Sequence, residues 1–322
     1  MKGLKQRIQN VIDQKQLAPK GSTLLLCISG GCDSVALLHL LCGLQQLYRW
    51  KLNLLHFNHR LRPEAEEEAD FVRQLASGYG LPFFRKDAEH LRPGEPGIQE
   101  QARHWRRKEA LVLHGEIGAD RIVTAHHADD QVETWLLKWL RGAHLSGLQG
   151  MSWQDPPFIR PLLGIGKEEL KAFLKENSWN WCEDSSNLDP KYLRNRVRHE
   201  LIPLLRELSR EGLETRIGNL DEQSRLLEED LRNRLVGWDP EFRNDSGLDL
   251  ERWRGESELL RHELLYRFIT GRTGITLSYE QLKRILALLD SPSGEWVFHL
   301  EGGWILELKN LTLHLKSPGS VD

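Results

Sequence analysis

No stretch of this 322-residue chain is apolar and long enough to cross a bilayer; the richest run, Val35 to Cys42, is broken by His39. Met1 to Lys15 is polar and lacks the apolar core of an export signal. Cysteine is scarce. The four present, Cys27, Cys32, Cys42 and Cys182, make no CxxC pair, which argues against a zinc ribbon and a disulfide scaffold. A reducing cytoplasm is the expected compartment. Neither sign of charge dominates, with 44 Lys and Arg against 47 Asp and Glu, which excludes a polybasic coat protein but permits a local basic face. No internal repeat or low-complexity tract is visible. With 39% apolar and 28% charged residues, the chain reads as globular and soluble. At about 150 residues per domain its length predicts two domains. The eleven Trp residues are expected mostly in packing.

What is there is an alternation. Thr23 to Ile28 is a short apolar run, and Ser34 to Gln45 carries helix formers at turn-like spacing. Lys51 to Phe57 and Glu64 to Ser77, Leu81 to Phe84 and Gln99 to His114, and Arg121 to Ala125 and Asp129 to Leu140 repeat it. Continuous apolar strands alternating with helices predict an α/β fold, a Rossmann-like parallel sheet covered on both faces. Functional groups in such sheets gather beyond the carboxyl ends of the strands. Here those ends are Ser29, His56 to His59 and His126 to Asp130, and all are polar. Gly142 to Pro161 reads as an irregular crossing and Lys167 to Glu176 as a helix; Trp181 to Asn195 is polar and irregular, and helix resumes from His199. Ser278 to Asp290 predicts a helix, then Trp296 to Leu300, Trp304 to Leu308 and Leu311 to Leu315 predict strands with turns at Gly302-Gly303 and Lys309-Asn310. The expected division is a larger N-terminal α/β domain over 1–216 and a smaller C-terminal α+β domain over 217–322.

Ser29-Gly-Gly-Cys-Asp-Ser34 lies between a strand and a helix start. Glycines there admit positive φ and close approach of a ligand, and free N–H groups at the helix start make an anion site suited to phosphate. Asp33 is the odd member, because a carboxylate beside a phosphate cradle repels it unless Mg²⁺ bridges them or its pKa is perturbed. The plainer reading is an ordinary turn capped by Asp or Ser. Other nucleotide loops fail: no GxGxxG occurs, and Gly164-Ile-Gly-Lys167 continues with Glu168 rather than Ser or Thr.

Ser29 to Ser34 resembles the SGGxDS loop of PP-loop ATP pyrophosphatases, which release AMP and pyrophosphate. His56-Phe-Asn-His-Arg-Leu-Arg62, Thr124-Ala-His-His-Ala-Asp-Asp-Gln-Val-Glu-Thr134, Leu140-Arg-Gly, Gly147-Leu-Gln-Gly-Met151, Arg160-Pro-Leu-Leu163, Trp181-Cys-Glu-Asp-Ser-Ser-Asn187 and Arg194-Asn-Arg-Val-Arg-His199 resemble, in order, the blocks of the tRNA(Ile)-lysidine synthetase family. The similarity covers roughly residues 20 to 205 and weakens beyond 216; the additional terminal domain of longer members is not expected. The resemblance implies an adenine nucleotide alpha hydrolase-like fold. It also implies ligation of lysine to C2 of the wobble cytidine in the CAU anticodon of tRNA(Ile), through an adenylated intermediate. ATP, Mg²⁺, L-lysine and that tRNA are the implied reactants and partners, a homodimer is implied by analogy, and no membrane is involved.

By the same resemblance, ATP would be held by Ser29, Gly30, Gly31, Cys32, Asp33, Ser34, His56, Asn58, His59 and His126, with Asp33 also a Mg²⁺ ligand. Asp33, Arg103, Asp129, Asp130 and Glu133 are the candidate catalytic residues. Arg106, Asp184, Asn187, Arg194, Arg196 and Arg198 are the candidates for tRNA or lysine. Each has a plainer reading: acidic capping of a helix start for Asp129, Asp130 and Glu133, a solvated basic face for Arg103 and Arg106, and an amphipathic helix start for Arg194 to His199. The family's Tyr after Ala-Arg and Arg is Arg107 here. His126, His127, Asp129, Asp130 and Glu133 taken alone would suit a metal-dependent phosphohydrolase, which leaves the glycine loop unexplained. Two further alternatives are a tRNA 2-thiolation enzyme, which needs sulfur-transfer cysteines, and a non-catalytic adenine-nucleotide-binding module.

Overall fold

The computed structural model describes residues 2–60, 64–92, 95, 97–144, 147–183, 193–209, 212–238, 247–275, 277–291 and 294–319. The chain divides into two compact units, one of Met1–Glu133 with Met151–Glu214 and one of Thr134–Gly150 with Thr215–Asp322. The segment 134–150 thus groups with the second unit.

The first unit alternates as the sequence pattern predicts. After α1 (Lys2–Gln14) come β1 (Thr23–Cys27), α2 (Cys32–Tyr48), β2 (Lys51–Asn58), α3 (Ala65–Tyr79), β3 (Phe83–Asp87), α4 (Ile98–Glu116) and β4 (Arg121–Val123). Helix α5 (Ala128–Leu140), the short strands β5 (Gln154–Asp155) and β6 (Phe158–Ile159), and α6 (Lys167–Glu176) follow. The six-stranded sheet has the order β3-β2-β1-β4-β6-β5 and is parallel except for the β5–β6 hairpin. Leu24, Leu25 and Leu26 of β1 are at most 1% exposed, which is why that strand reads as one apolar run rather than an alternation. Helix α2 is apolar almost all round, with Val35 to Leu38 fully buried against α1, α6 and the sheet. Each such Leu contributes about 1.5–3 kcal/mol of burial.

Two expectations shift. Residues 142–161, read as irregular, contain β6, which continues the parallel sheet through Ile122↔Phe158 and Val123↔Ile159. Two residues carry no periodicity by which to recognise a strand. Strand β3 begins at Phe83 and runs to Asp87, past the expected end at Phe84. Its polar end is held by Arg85, which donates to Asp87 and to Glu66 of α3.

Helix α7 (Leu193–Arg196) runs through a π turn at Val197–Leu201 into α8 (Ile202–Ser209). The second unit holds α9 (Leu213–Leu235), β7 (Leu248–Asp249), α10 (Leu250–Arg254), α11 (Glu258–Thr273), α12 (Tyr279–Leu289), β8 (Trp296–His299), β9 (Ile305–Lys309) and β10 (Thr312–Lys316). Its antiparallel sheet has the order β7-β10-β9-β8, and its core is built on Trp238, Trp253 and Phe268. The three closing strands lie within a residue or so of where their alternation predicts them.

Candidate functional site

Strand order decides what meets what. The order turns back between β1 and β4, and at such a switch point the loops leaving two neighbouring strands diverge and open a crevice. Leu26 pairs with Val123, so the glycine loop after β1 and the 124–130 segment after β4 emerge side by side. Because β6 lies against β4, the turn that leads into α6 opens at the same edge.

In the glycine loop, Gly30 takes φ +95°, a conformation that favours glycine. The Ser34 hydroxyl donates to the Gly31 carbonyl and accepts from the Ser29 N–H, which ties the loop closed. Helix α2 starts at Gly31 without a side-chain cap, so the first-turn N–H groups from Cys32 onward have no partner within the helix.

Opposite the loop, His127 is buried among carboxylates. Its Nε2 lies 3.4 Å from Asp33 and 3.5 Å from Asp130, and its Nδ1 lies 3.5 Å from Asp129. These are ion-pair distances rather than well-aligned hydrogen bonds. Burial alone would lower the imidazole pKa, but Asp129, Asp33 and Asp130 outweigh it and raise it to about 10. The surrounding carboxylates thus favour the imidazolium form of His127. Burial would raise the Asp33 pKa, yet His127, Lys167 and Arg198 bring it below the usual carboxylate value. Asp129 is likewise lowered: burial is overcome by His127, the Lys167 N–H and Arg206. One oxygen of Asp33, Oδ1, is buried without a hydrogen-bond partner.

The acidic residues that begin α5 are matched by arginines from the helix after residue 193. Arg194 Nε donates to Glu133 at 3.0 Å, Arg198 donates to Glu133 and lies 3.4 Å from Asp130, and Arg206 pairs with Asp129 and Glu214. Glu133 is 1% exposed, and a carboxylate buried without such partners would be costly. The π turn containing Arg198 changes the helical phase, the kind of irregularity often found where a helix aims a side chain at a functional site. The sequence patterns thus converge: Asp33, Asp129, Asp130, Glu133, Arg194 and Arg198 form one network.

Other candidates take different places. His126 lies beside Thr124 Oγ1 at 2.9 Å; burial lowers its pKa to about 4 against the pull of Asp130, with Arg160, Arg103 and Arg194 reinforcing the shift. Arg103 and Arg106 are exposed and carry no ion pair among the described residues. Desolvation in its surroundings, with Arg103 and Arg194 adding, lowers Arg106 although solvent still reaches it. With Arg103 and Arg194 near it, Arg106 belongs to a locally basic surface of the kind that attracts phosphate. Arg160 shares that field, and its buried Nε has no hydrogen-bond partner. Arg196 pairs with Glu200 instead of the acids.

His56 is buried with Nδ1 2.9 Å from the Ile28 carbonyl, Asn58 donates to Glu66 and accepts from the Arg60 N–H, and His59 packs edge-on to Trp105. His56 and Asn58 thus hold the ends of β1 and β2. Asp184 and Asn187 lie outside the described residues. His127, Arg160, Lys167 and Arg206 were not among the ligase candidates named from the sequence. His127 has a signal in its carboxylate-flanked position and Lys167 in the glycine run before it, whereas Arg206 has none, since its partner Asp129 is distant in the chain.

Burial raises the thiols of Cys27 and Cys42 to about 12 and that of Cys32 to about 11, and it raises Cys182 as well, so the thiolate form that sulfur transfer uses is disfavoured at all four. Among the described residues no three His, Cys, Asp or Glu side chains form a metal cluster. Among the described residues, Asp33 Oδ1 is the one buried carboxylate oxygen without a hydrogen-bond partner, and it could take part in holding a Mg²⁺ whose other oxygens come from phosphate and water. No described helix is long and apolar enough to cross a membrane.

Residues 2–205 match the model of a family described as a PP-loop domain. The chain is similar to a tRNA(Ile)-lysidine synthase of a Synechococcus species, 36% identical over 63% of this chain and 63% of that one. It is 34% identical to a tRNA(Ile)-lysidine synthase of Chlorobaculum tepidum over 91% of this chain and 90% of that one. Among solved structures it is similar to the U34-tRNA thiolase NcsA from Methanococcus maripaludis, with a TM-score of 0.59 and 16% identity over 70% of this chain and 78% of that one. At that identity the likeness is one of fold.

Proposed function

Because the chain belongs to the PP-loop family of tRNA(Ile)-lysidine synthases, we propose that the network between β1 and β4 joins lysine to a cytidine of tRNA(Ile) at the expense of ATP. The protein is an ATP-dependent ligase that makes lysidine on tRNA(Ile). The observation that carries the assignment of the site is the 3.4 Å approach of His127 to Asp33, which joins a phosphate-binding loop to an acidic helix start.

The first step forms a bond between the C2 oxygen of cytosine and the α-phosphorus of ATP and breaks the α–β anhydride, so pyrophosphate leaves with the bonding electrons. The N–H groups of the Gly30 to Ser34 loop stabilise charge on that leaving group. Mg²⁺, when bound through Asp33, supplies further neutralisation of phosphate charge. Arg103, Arg106 and Arg160 provide the positive surface along which the α-phosphate and the RNA backbone lie.

In the second step the lysine ε-amine bonds to C2 and AMP departs with the C2 oxygen. The amine must be unprotonated to attack, so the ammonium that binds first gives up a proton. Asp130, whose arginine contacts are long (Arg198 at 3.4 Å and Arg194 at 3.9 Å), is the carboxylate that receives the ammonium, whereas Asp129 is held more closely by Arg206 and the Lys167 N–H. An unpaired anticodon loop already presents its bases, which lowers the cost of bringing the wobble cytidine to the crevice. The proposal includes the CAU anticodon, a cytoplasmic location, a homodimer, and tRNA contact by Arg194, Arg196 and Arg198 and by Asp184 and Asn187.

The test is incubation with ATP, labelled lysine and transcripts of two tRNAs that share the CAU anticodon. Label enters isoleucine tRNA and not methionine tRNA. ATP turnover without label on RNA would instead favour a nucleotide-binding module with a weak hydrolytic activity, and sulfur incorporation would favour a thiolase.

A further inference from the structure

Gly164-Ile-Gly-Lys167 fails as a nucleotide loop on its sequence, yet the fold returns its lysine to the phosphate site. We propose that Lys167 is a catalytic residue of the adenylation step, its ammonium group moving from Asp33 onto the departing pyrophosphate. This rests on the reading above that the glycine loop holds the β- and γ-phosphates.

Three observations carry it. The parallel pairing of β4 with β6 delivers the turn after β6 to the edge where the glycine loop opens. There the segment is pinned from both sides: the Lys167 N–H donates to Asp129 at 2.8 Å, and the Ala128 N–H donates to the Ile165 carbonyl at 2.9 Å. The backbone of Lys167 is therefore fixed while its side chain is not. Lys167 Nζ lies 3.8 Å from Asp33, a long contact that is its one ion pair among the described residues, and the side chain is 35% exposed.

The neighbouring cations each have a closer carboxylate partner than Lys167 has. His127 is enclosed by carboxylates, Arg194 and Arg198 serve Glu133 and Asp130, and Arg206 serves Asp129 and Glu214. Lys171, one turn along α6, pairs with Glu168. Lys167 is left with a weak, half-exposed pair, of a kind typically worth about 0–1 kcal/mol, so leaving Asp33 costs little. A compact ammonium on a flexible stem acts on phosphate as a point charge, which suits a leaving group whose charge builds only as the anhydride breaks. As bond cleavage proceeds, the electron pair passes to the β-phosphate oxygen, and no proton transfer from Lys167 is needed.

The experiment measures binding of inorganic pyrophosphate to the full chain by calorimetry, alongside AMP formation with tRNA. K167M is expected to weaken pyrophosphate binding at least tenfold and to slow AMP formation about 10- to 100-fold, with the KM for lysine unchanged. K167R should recover most of both. The same comparison is made in a D33N background, because a lysine that merely positions Asp33 would then lose its effect. If D33N and D33N/K167M bind pyrophosphate within twofold of each other, the proposal is overturned. Should K167M alone unfold, K167Q and K167R carry the comparison, and equal pyrophosphate affinity of those two would overturn it as well. Failure of lysidine formation in the unaltered protein would count against the function proposed above, while pyrophosphate affinity would still judge Lys167.

Discussion

His127 Nε2 stands 3.4 Å from an oxygen of Asp33, and this contact joins two loops from neighbouring parallel strands into one electrostatic unit. Its consequence is charge balance. A carboxylate placed in a phosphate cradle would repel its ligand, but Asp33 faces an imidazole whose carboxylate neighbours favour the charged form and the ammonium of Lys167, which offset its negative charge.

Replacing Asp33 with Asn should therefore leave the fold intact while removing AMP formation almost entirely. Asp129 and Asp130 remain to neutralise His127, so thermal unfolding is expected within a few degrees of the unaltered protein. Full AMP turnover by D33N would remove Asp33 from the reaction.

The arginines after residue 193 should separate by burial of their partners. R198A deprives the buried Glu133 of one of its two cations and is expected to cost about 1–3 kcal/mol in urea unfolding. R196A breaks only an exposed pair with Glu200 and should cost less than about 0.5 kcal/mol. In tRNA binding the double variant R194A/R196A is expected to lower affinity and flatten its dependence on salt. An unchanged salt slope would return both residues to a structural role.

His39 gives the protein a sensitivity to mild acid. It is 6% exposed and stacked on Trp179 at 3.6 Å, and burial lowers its pKa to about 4 from an ordinary 6.5. Between those values the unfolded chain binds the proton more readily than the folded one. Stability is therefore full above pH 6.5 and falls as pH drops towards 4, by up to about 3 kcal/mol from this residue. Urea unfolding followed by Trp fluorescence at pH 7 and pH 4.5 should show a smaller loss for H39Q than for the unaltered protein. Equal losses would mean that other groups set the acid sensitivity.

Gly247 should be intolerant of any side chain. It has φ +82°, and a Cβ there would lie 2.6 Å from Thr312 Cγ2 and 2.8 Å from the Leu313 carbonyl oxygen. The contact sits where β7 joins β10, so G247A is expected to destabilise the second unit by at least about 2 kcal/mol. A midpoint unchanged in urea would show that the strand junction yields without cost.

How much was legible beforehand followed from the range of the forces. The run Leu24 to Leu26, the glycine pair at Gly30 and Gly31 and the acidic start of α5 are patterns of adjacent residues, so they can be read without knowing what packs against them. β6 escaped because its two residues derive their strand character from pairing with β4 and β5, not from any pattern of their own. Nothing near Arg206 or Lys167 in the chain announces Asp129 or Asp33 as a partner.

The amino-acid order by itself determined the alternating strands and helices, the phosphate-binding loop and the kind of chemistry its residues support. Only the tertiary structure decided that β1, β4 and β6 lie side by side, and hence which charges meet. Apolar periodicity acts over a few residues, whereas an ion pair across a crevice depends on strand order, a property of the whole sheet.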